Sequence, residues 1–428
     1  MKKKVINFIL LLLLPFIVLL ALLIPKKKRK YIWGTTPLVN NKYWSKALQE
    51  MGLDSITLME DFYSIQKKSD YDLYFHELLP VYLKKIHYLK NIFAFFYILR
   101  HAKVFHTCFE GGPLGRTILW RLEIKLLKFF KIKIVVLPYG ADAYMYSRVL
   151  DKSLQNGLLA SYPHASSKEP LIQKKVFFFT KNADFTCGGF MSLDGFSRWD
   201  TVIHQFVVID TKLWQCKRQY SDSDGINDSV KIIHTPNHRG FKGTEFLLKA
   251  IENLKKKGLK IELILLEKIP NDKVRDYMQE ADILAEQFIA IGYALSAIEG
   301  MASGLVTLSN LSDDRYTRIF RRYSFLNECP IVSTPPEMLE RNIEVLVRNP
   351  QLRKELGLLG RSYVEKYHSY KTSQYLFTNV YDKILYNKDV DLMNLFHPLL
   401  SEYNKCSPVI NVPLEENKIP KRYFKQQF

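Results

Sequence analysis

His234-Thr235-Pro236-Asn237-His238-Arg239-Gly240-Phe241-Lys242-Gly243-Thr244 decides the fold of this chain. The apolar run before it, Val230 to His234, predicts a strand. The pattern after it, Thr244 to Lys256, has helical spacing and stops at Gly258. Two cations and two glycines therefore sit between a strand and a helix. A loop in that position aims unpaired backbone N–H groups and the positive helix end at whatever occupies it. Gly292-Tyr-Ala-Leu-Ser-Ala-Ile-Glu299-Gly-Met-Ala-Ser-Gly304 follows downstream and places a carboxylate in a helix of small residues. The two stretches together predict a clamp for an anionic, hydroxyl-rich ligand.

The same alternation extends outward in both directions. Toward the C-terminus, strands are expected at Leu259–Leu266, Asp282–Ala285 and Leu305–Leu308, with helices at Asp272–Glu280, Tyr293–Ala302 and Pro336–Arg348. Toward the N-terminus, strands are expected at Tyr31–Gly34, Tyr71–His76, Val104–Cys108 and Ile132–Pro138. Helices fall at Tyr43–Met51, Tyr82–His101 and Arg116–Phe130, and Thr35–Lys42 reads as a polar loop. Strands separated by helices argue for parallel sheets with right-handed crossovers. The fold class is α/β, with two Rossmann-like, doubly wound domains and a ligand cleft between them. The expected boundaries are 1–30 for a membrane anchor, 31–220 and 230–386 for the domains, 221–229 for an acidic, turn-rich linker, and 387–428 for a tail.

The chain of 428 residues is too long for one ordinary core. Its formal charge is +19, and the first 30 residues hold eight cations and no acid. Such an excess favours an anionic partner. No zinc spacing, nucleic-acid motif or arginine-rich repeat is present, so nucleic acid is not expected. The five cysteines are scattered, without C-x-x-C, and fit a reducing compartment. Val5 to Ile24 is an uncharged apolar run between Lys2–Lys4 and Lys26–Lys30. It reads as an uncleaved anchor, either a single pass or, given Pro15, a re-entrant hairpin. The stronger basic flank puts the body of the protein in the cytoplasm. Tyr82–Lys103 and Arg121–Lys133 interleave lysines and aromatics; they are either sheet-covering helices or a second membrane contact.

The run from Arg239-x-x-Lys242-Gly243 to Glu299-x-Met-Ala-x-Gly304 resembles the retaining GT-B glycosyltransferases of the family 4, or group 1, type. The likeness extends from about Tyr31 to Tyr386 and is strongest from His234 to Leu308. It implies transfer of a sugar from a nucleotide-sugar donor to a lipid-linked or polysaccharide acceptor in cell-surface polysaccharide assembly. It further implies that Arg239 and Lys242 hold the donor diphosphate, with Gly243 beside them, and that Glu299 binds the ribose. The family's E-x7-E element is broken: the residue eight before Glu299 is Ile291. Glu286 and Gln287 lie nearby, and Gln287 and Gly292 join the donor-site candidates. The missing carboxylate keeps open an alternative, a catalytically inactive GT-B-like membrane scaffold.

In the N-terminal half, Trp33-Gly34-Thr35-Thr36 resembles the family's glycine loop. Leu137-Pro-Tyr139-Gly140-Ala-Asp142 resembles an H-G-x-D element with Tyr in place of His. Asp142 and His106 are the candidates for orienting an acceptor hydroxyl, or else hydrogen-bonded turn residues. No cofactor or metal is expected. Asp222-Ser-Asp224 and Asp389-Val-Asp391 have D-x-D spacing but sit in linker-like and tail sequence.

Overall fold

The structure is a computed structural model that describes residues 2–424 apart from 26, 28, 65, 84–88 and 205. It contains two parallel sheets. The first has seven strands: β1 (Lys30–Trp33), β2 (Ser55–Met59), β3 (Leu73–Tyr74), β4 (Ala102–Thr107), β5 (Lys133–Val136), β6 (Phe185–Gly188) and β7 (Thr201–Val202), in the order β3-β2-β1-β4-β5-β6-β7. The second has five: β8 (Val230–His234), β9 (Ile261–Leu265), β10 (Ile283–Ile291), β11 (Val306–Asn310) and β12 (Val332–Ser333), in the order β12-β11-β10-β8-β9. Sequence order reverses between β1 and β4 in the first sheet and between β8 and β10 in the second. Loops at the carboxyl ends of the strands diverge at such points and leave a crevice. The glycine loop and the Arg239–Lys242 turn both emerge there.

Helices cover the sheets, so the strands bury both faces and read as continuous apolar runs. β10 is buried along its whole length. It runs to Ile291, well past the Ala285 expected from sequence, and so draws Glu286 and Gln287 into the sheet. Helix Val39–Glu50 begins inside the expected loop 35–42, and β2 was not anticipated. The helix expected from Tyr82 starts at Lys90; Lys84 and Lys85 lie outside the described residues.

The two units are not separate cores. One apolar cluster contains Trp33, Leu158, Phe241, Tyr293 and Phe377. Helix Lys152–Ser161 packs on the Arg239–Lys242 turn and on β10. Its Gly157 leaves room for Ile289, whose Cγ2 would lie 2.8 Å from any Cβ there. The last long helix, Tyr370–Tyr386, returns to the N-terminal sheet and packs on Val39–Glu50. The tail closes on the second sheet, where Ser333 N donates to Asn417 O at 2.7 Å.

The N-terminal apolar run forms helix Lys2–Leu23. Leu10, Leu14 and Ala21 on one face are buried against helix Lys90–His101. Among the described residues no helix is long and apolar enough to cross a membrane. The expected spanning helix is therefore corrected: one side of this helix is occupied by its own domain.

Candidate functional site

A cavity of about 330 Å³ opens between the two sheets. Val39, Tyr139, Tyr144 and Phe190 line it from the N-terminal side, and Asn237, Lys242, Gln287, Ile291 and Tyr293 from the C-terminal side. That volume lies at the lower end of the range for small-molecule sites, and the mix of aromatic walls with a few convergent polar groups is typical of them.

Among the described residues lining the cavity, Lys242 is the one cation. It ends the short turn Arg239–Lys242, and Gly243 follows at φ 76°, a left-handed conformation that favours glycine. The Lys242 ammonium pairs with the Glu286 carboxylate, and these side chains are only 6% and 0% exposed. Lys242 Nζ also donates to Gln287 Oε1 at 2.8 Å, and Gln287 Nε2 donates to Gly292 O at 3.0 Å. Ser296 Oγ donates to Glu286 Oε1 at 3.0 Å. Ser309 Oγ lies 2.9 Å from Glu286 Oε2 and 2.6 Å from Gly292 O, and its single proton serves one at a time. Every polar atom of this buried group thus has a partner, as burial of charge requires. Sequence reasoning noted Glu286 without a role; its place beside Lys242 depends on the extra length of β10.

Arg239 is not part of this group. It bridges Glu245 (2.8 Å) and Glu267 (3.2 Å) at the surface. The expected two-cation clamp is a single buried lysine in this structure.

Gly292 follows β10 at φ 94°, and a Cβ there would lie 2.5 Å from the Phe190 ring. The backbones approach closely at this point, and Tyr293 and Ala294 then lead into helix Leu295–Ala302. Glu299, one turn beyond Leu295, is buried. Burial pushes its carboxyl up to about 8, while a hydrogen bond from Asn271 Nδ2 at 3.2 Å pulls the other way. It is not among the residues lining the cavity.

The acceptor-side candidates are held in the scaffold. The His106 ring stacks on Trp33, with centroids 3.6 Å apart. Its Nδ1 donates to Ile32 O at 3.2 Å, which leaves Nε2 to accept from Tyr381 OH at 2.7 Å. Both bonds suit a neutral ring, and burial lowers its pKa to about 3. Asp142 accepts three backbone amides, from Phe109, Tyr139 and Gly140, each at 3.0 Å. Burial raises its carboxyl to about 7 against the pull of those amides. Both residues fix loops at strand ends, and neither lines the large cavity. Gly34 has no space for a side chain, since a Cβ would lie 2.1 Å from Leu58 O. Thr35 Oγ1 donates to Gly111 O at 3.3 Å and ties the glycine loop to the next one.

Glu110, in the loop after β4, joins three other loop residues. Its carboxylate accepts from Tyr139 OH (3.1 Å), Thr36 Oγ1 (3.3 Å) and Arg116 Nε (3.1 Å). Nothing local in the sequence marks it, because its partners come from three separate loops.

No protein-family model matches the chain, and no curated protein matches it. Solved structures do. Sucrose-phosphate synthase from Thermosynechococcus elongatus superposes with a TM-score of 0.53 at 12% identity, over 84% of this chain and 100% of that one. The catalytic domain of starch synthase IV from Arabidopsis thaliana, bound to ADP and acarbose, gives 0.50 at 10% identity, over 84% and 100%. At such identities the likeness is one of fold, and function has to be argued from the site. The chain has the GT-B fold shared by these glycosyltransferases.

Proposed function

We propose that the protein is a glycosyltransferase that takes a sugar from a nucleotide-sugar donor and adds it to a glycan or lipid-linked acceptor at the cytoplasmic face of a membrane. Lys242 carries this reading: a buried ammonium at the wall of a cleft, beside the switch point of the second sheet. The donor diphosphate would draw that ammonium from Glu286, and Lys242 would neutralise the charge that grows on the leaving group. Arg239 joins it only by giving up Glu245 and Glu267. Glu299 would receive the ribose hydroxyls once the cleft opens.

We assign retention at the anomeric carbon. His106 and Asp142 are both committed to scaffold bonds, so neither serves as a free base, and the protein would act by positioning and by charge on the leaving side. Surface-polysaccharide assembly is the pathway class that fits such an acceptor.

The test is binding and turnover of UDP-, GDP-, ADP- and CMP-sugars by the full chain, with Lys242→Met and Glu299→Gln as comparisons. Slow release of one nucleotide, lost in Lys242→Met, is expected, and product NMR reads the anomeric configuration. Absence of binding to every donor refutes the assignment. Binding without turnover, even with membrane lipid extract added, moves the protein to the scaffold reading.

A further inference from the structure

From Leu10 to Leu23 the N-terminal helix is apolar on both sides, yet among the described residues only one side is covered. Leu10, Leu14 and Ala21, spaced four and seven residues apart, face the domain and are buried. Leu12, Phe16, Leu19 and Leu23, on the opposite stripe, are 55%, 70%, 54% and 72% exposed. A helix that is hydrophobic all round belongs in a core or in lipid. Half of this one is in a core already.

The flanks indicate what covers the other half. The first 30 residues carry eight cations and no acid. Lys27 and Arg29 are exposed, and their backbone N–H groups are pinned to Arg100 O (3.0 Å) and His101 O (3.2 Å). Pairing two copies through this face would bring two all-cationic segments together. An anionic bilayer surface meets the same charges with the opposite sign.

We propose that the outward stripe of helix Lys2–Leu23 lies flat in the interfacial layer of an anionic bilayer and holds the protein there without crossing it. This rests on the membrane-side reading above and deepens it. The helix is roughly 33 Å long at 1.5 Å per residue. It ends beside the C-terminal end of helix Lys90–His101, so the two run in the same direction. The start of that second helix reaches the loop after β4, where Asn91 Nδ2 donates to Pro113 O at 2.7 Å. The lipid-facing stripe therefore runs from the far edge of the N-terminal sheet up to the level of the acceptor loops. A lipid-linked acceptor enters the cleft from the side, along the membrane plane.

Depth measurement tests this in the full chain. With Cys406→Ser and Cys216→Ser removing the exposed and the half-buried thiol, Leu12→Cys, Phe16→Cys, Leu19→Cys and Leu23→Cys each receive an environment-sensitive fluorophore. The proteins are mixed with vesicles of phosphatidylcholine containing phosphatidylglycerol, with quenchers at graded depths. An in-plane helix gives one common depth for all four positions, about 5–10 Å below the headgroups. Phe16→Glu with Leu19→Glu lowers vesicle binding at least tenfold, and pure phosphatidylcholine binds more weakly than the anionic mixture. Depths that pass through the bilayer centre from one position to the next show a span or hairpin and overturn the proposal. So does dimerisation through this stripe without lipid insertion. Nucleotide-sugar binding measured on the same samples separates a failure here from a failure of the glycosyltransferase reading.

Discussion

Replacing Lys242 with methionine removes the charge that the cleft is built around. Its partner Glu286 is fully buried, and among the described residues the other donors to that carboxylate are the hydroxyls of Ser296 and Ser309. Breaking one half of a buried pair leaves the other charge uncompensated, at a cost of about 3–5 kcal/mol. Lys242→Met is therefore expected to lose about that much stability, a large part of the ~5–15 kcal/mol that holds a typical domain. Adding Glu286→Gln removes the stranded charge and keeps the two hydroxyl contacts, so the double variant recovers a coupling of about 2–3 kcal/mol. Urea unfolding followed by circular dichroism measures the cycle. All five tryptophans lie before residue 215, so their fluorescence gives a second probe of the same transition, placed on the N-terminal side. Donor affinity stays lost in both variants, because neither carries the ammonium. A Lys242→Met protein within about 1 kcal/mol of the parent, or a strictly additive cycle, refutes the buried-pair account.

Three further outcomes follow from the geometry. The Glu299 carboxyl is raised to about 8 in the folded state, so the fold binds its proton more tightly than the unfolded chain does. That contribution is fully present below the ordinary glutamate value of roughly 4.3 and is lost as pH rises toward 8; Glu299→Gln should flatten this part of the stability–pH curve and gain on the order of 3 kcal/mol at pH 7, and an unchanged curve refutes it. Gly292→Ala meets the Phe190 ring and a left-handed backbone together, which costs about 2–5 kcal/mol and is read as a lower urea midpoint. Tyr381→Phe deletes the hydroxyl that His106 Nε2 accepts from and leaves a buried acceptor unpaired, for about 1–3 kcal/mol with donor affinity unchanged.

The second sheet was legible where its strands are apolar on both faces. Val230–His234 and Thr244–Lys256 fall where the pattern puts them. β10 was cut short because Glu286 and Gln287 look like loop residues; they become strand residues only once Lys242, Ser296 and Ser309 satisfy them. The helices at Lys152–Ser161 and Glu169–Asn182 were missed because Pro163, Pro170 and a serine pair between them imitate a loop. Arg239 and Lys242 are three apart in sequence and looked equivalent; nearby acids on two other elements separate them. Nothing local in Tyr370–Tyr386 announces that it docks on the first sheet, since its partners His106 and Trp33 lie far back in the chain.

That return has a consequence for biogenesis. His106 and Tyr381 are 275 residues apart. At about 5–20 residues per second, roughly 14–55 s of synthesis separate them. Once β7 has been made, the N-terminal sheet still lacks its closing helix for the rest of that interval, and the Trp33 surface that Phe377 later covers stands open on the ribosome. The first domain to emerge is thus among the last to be finished, and a chain released before residue 381 leaves both halves incomplete.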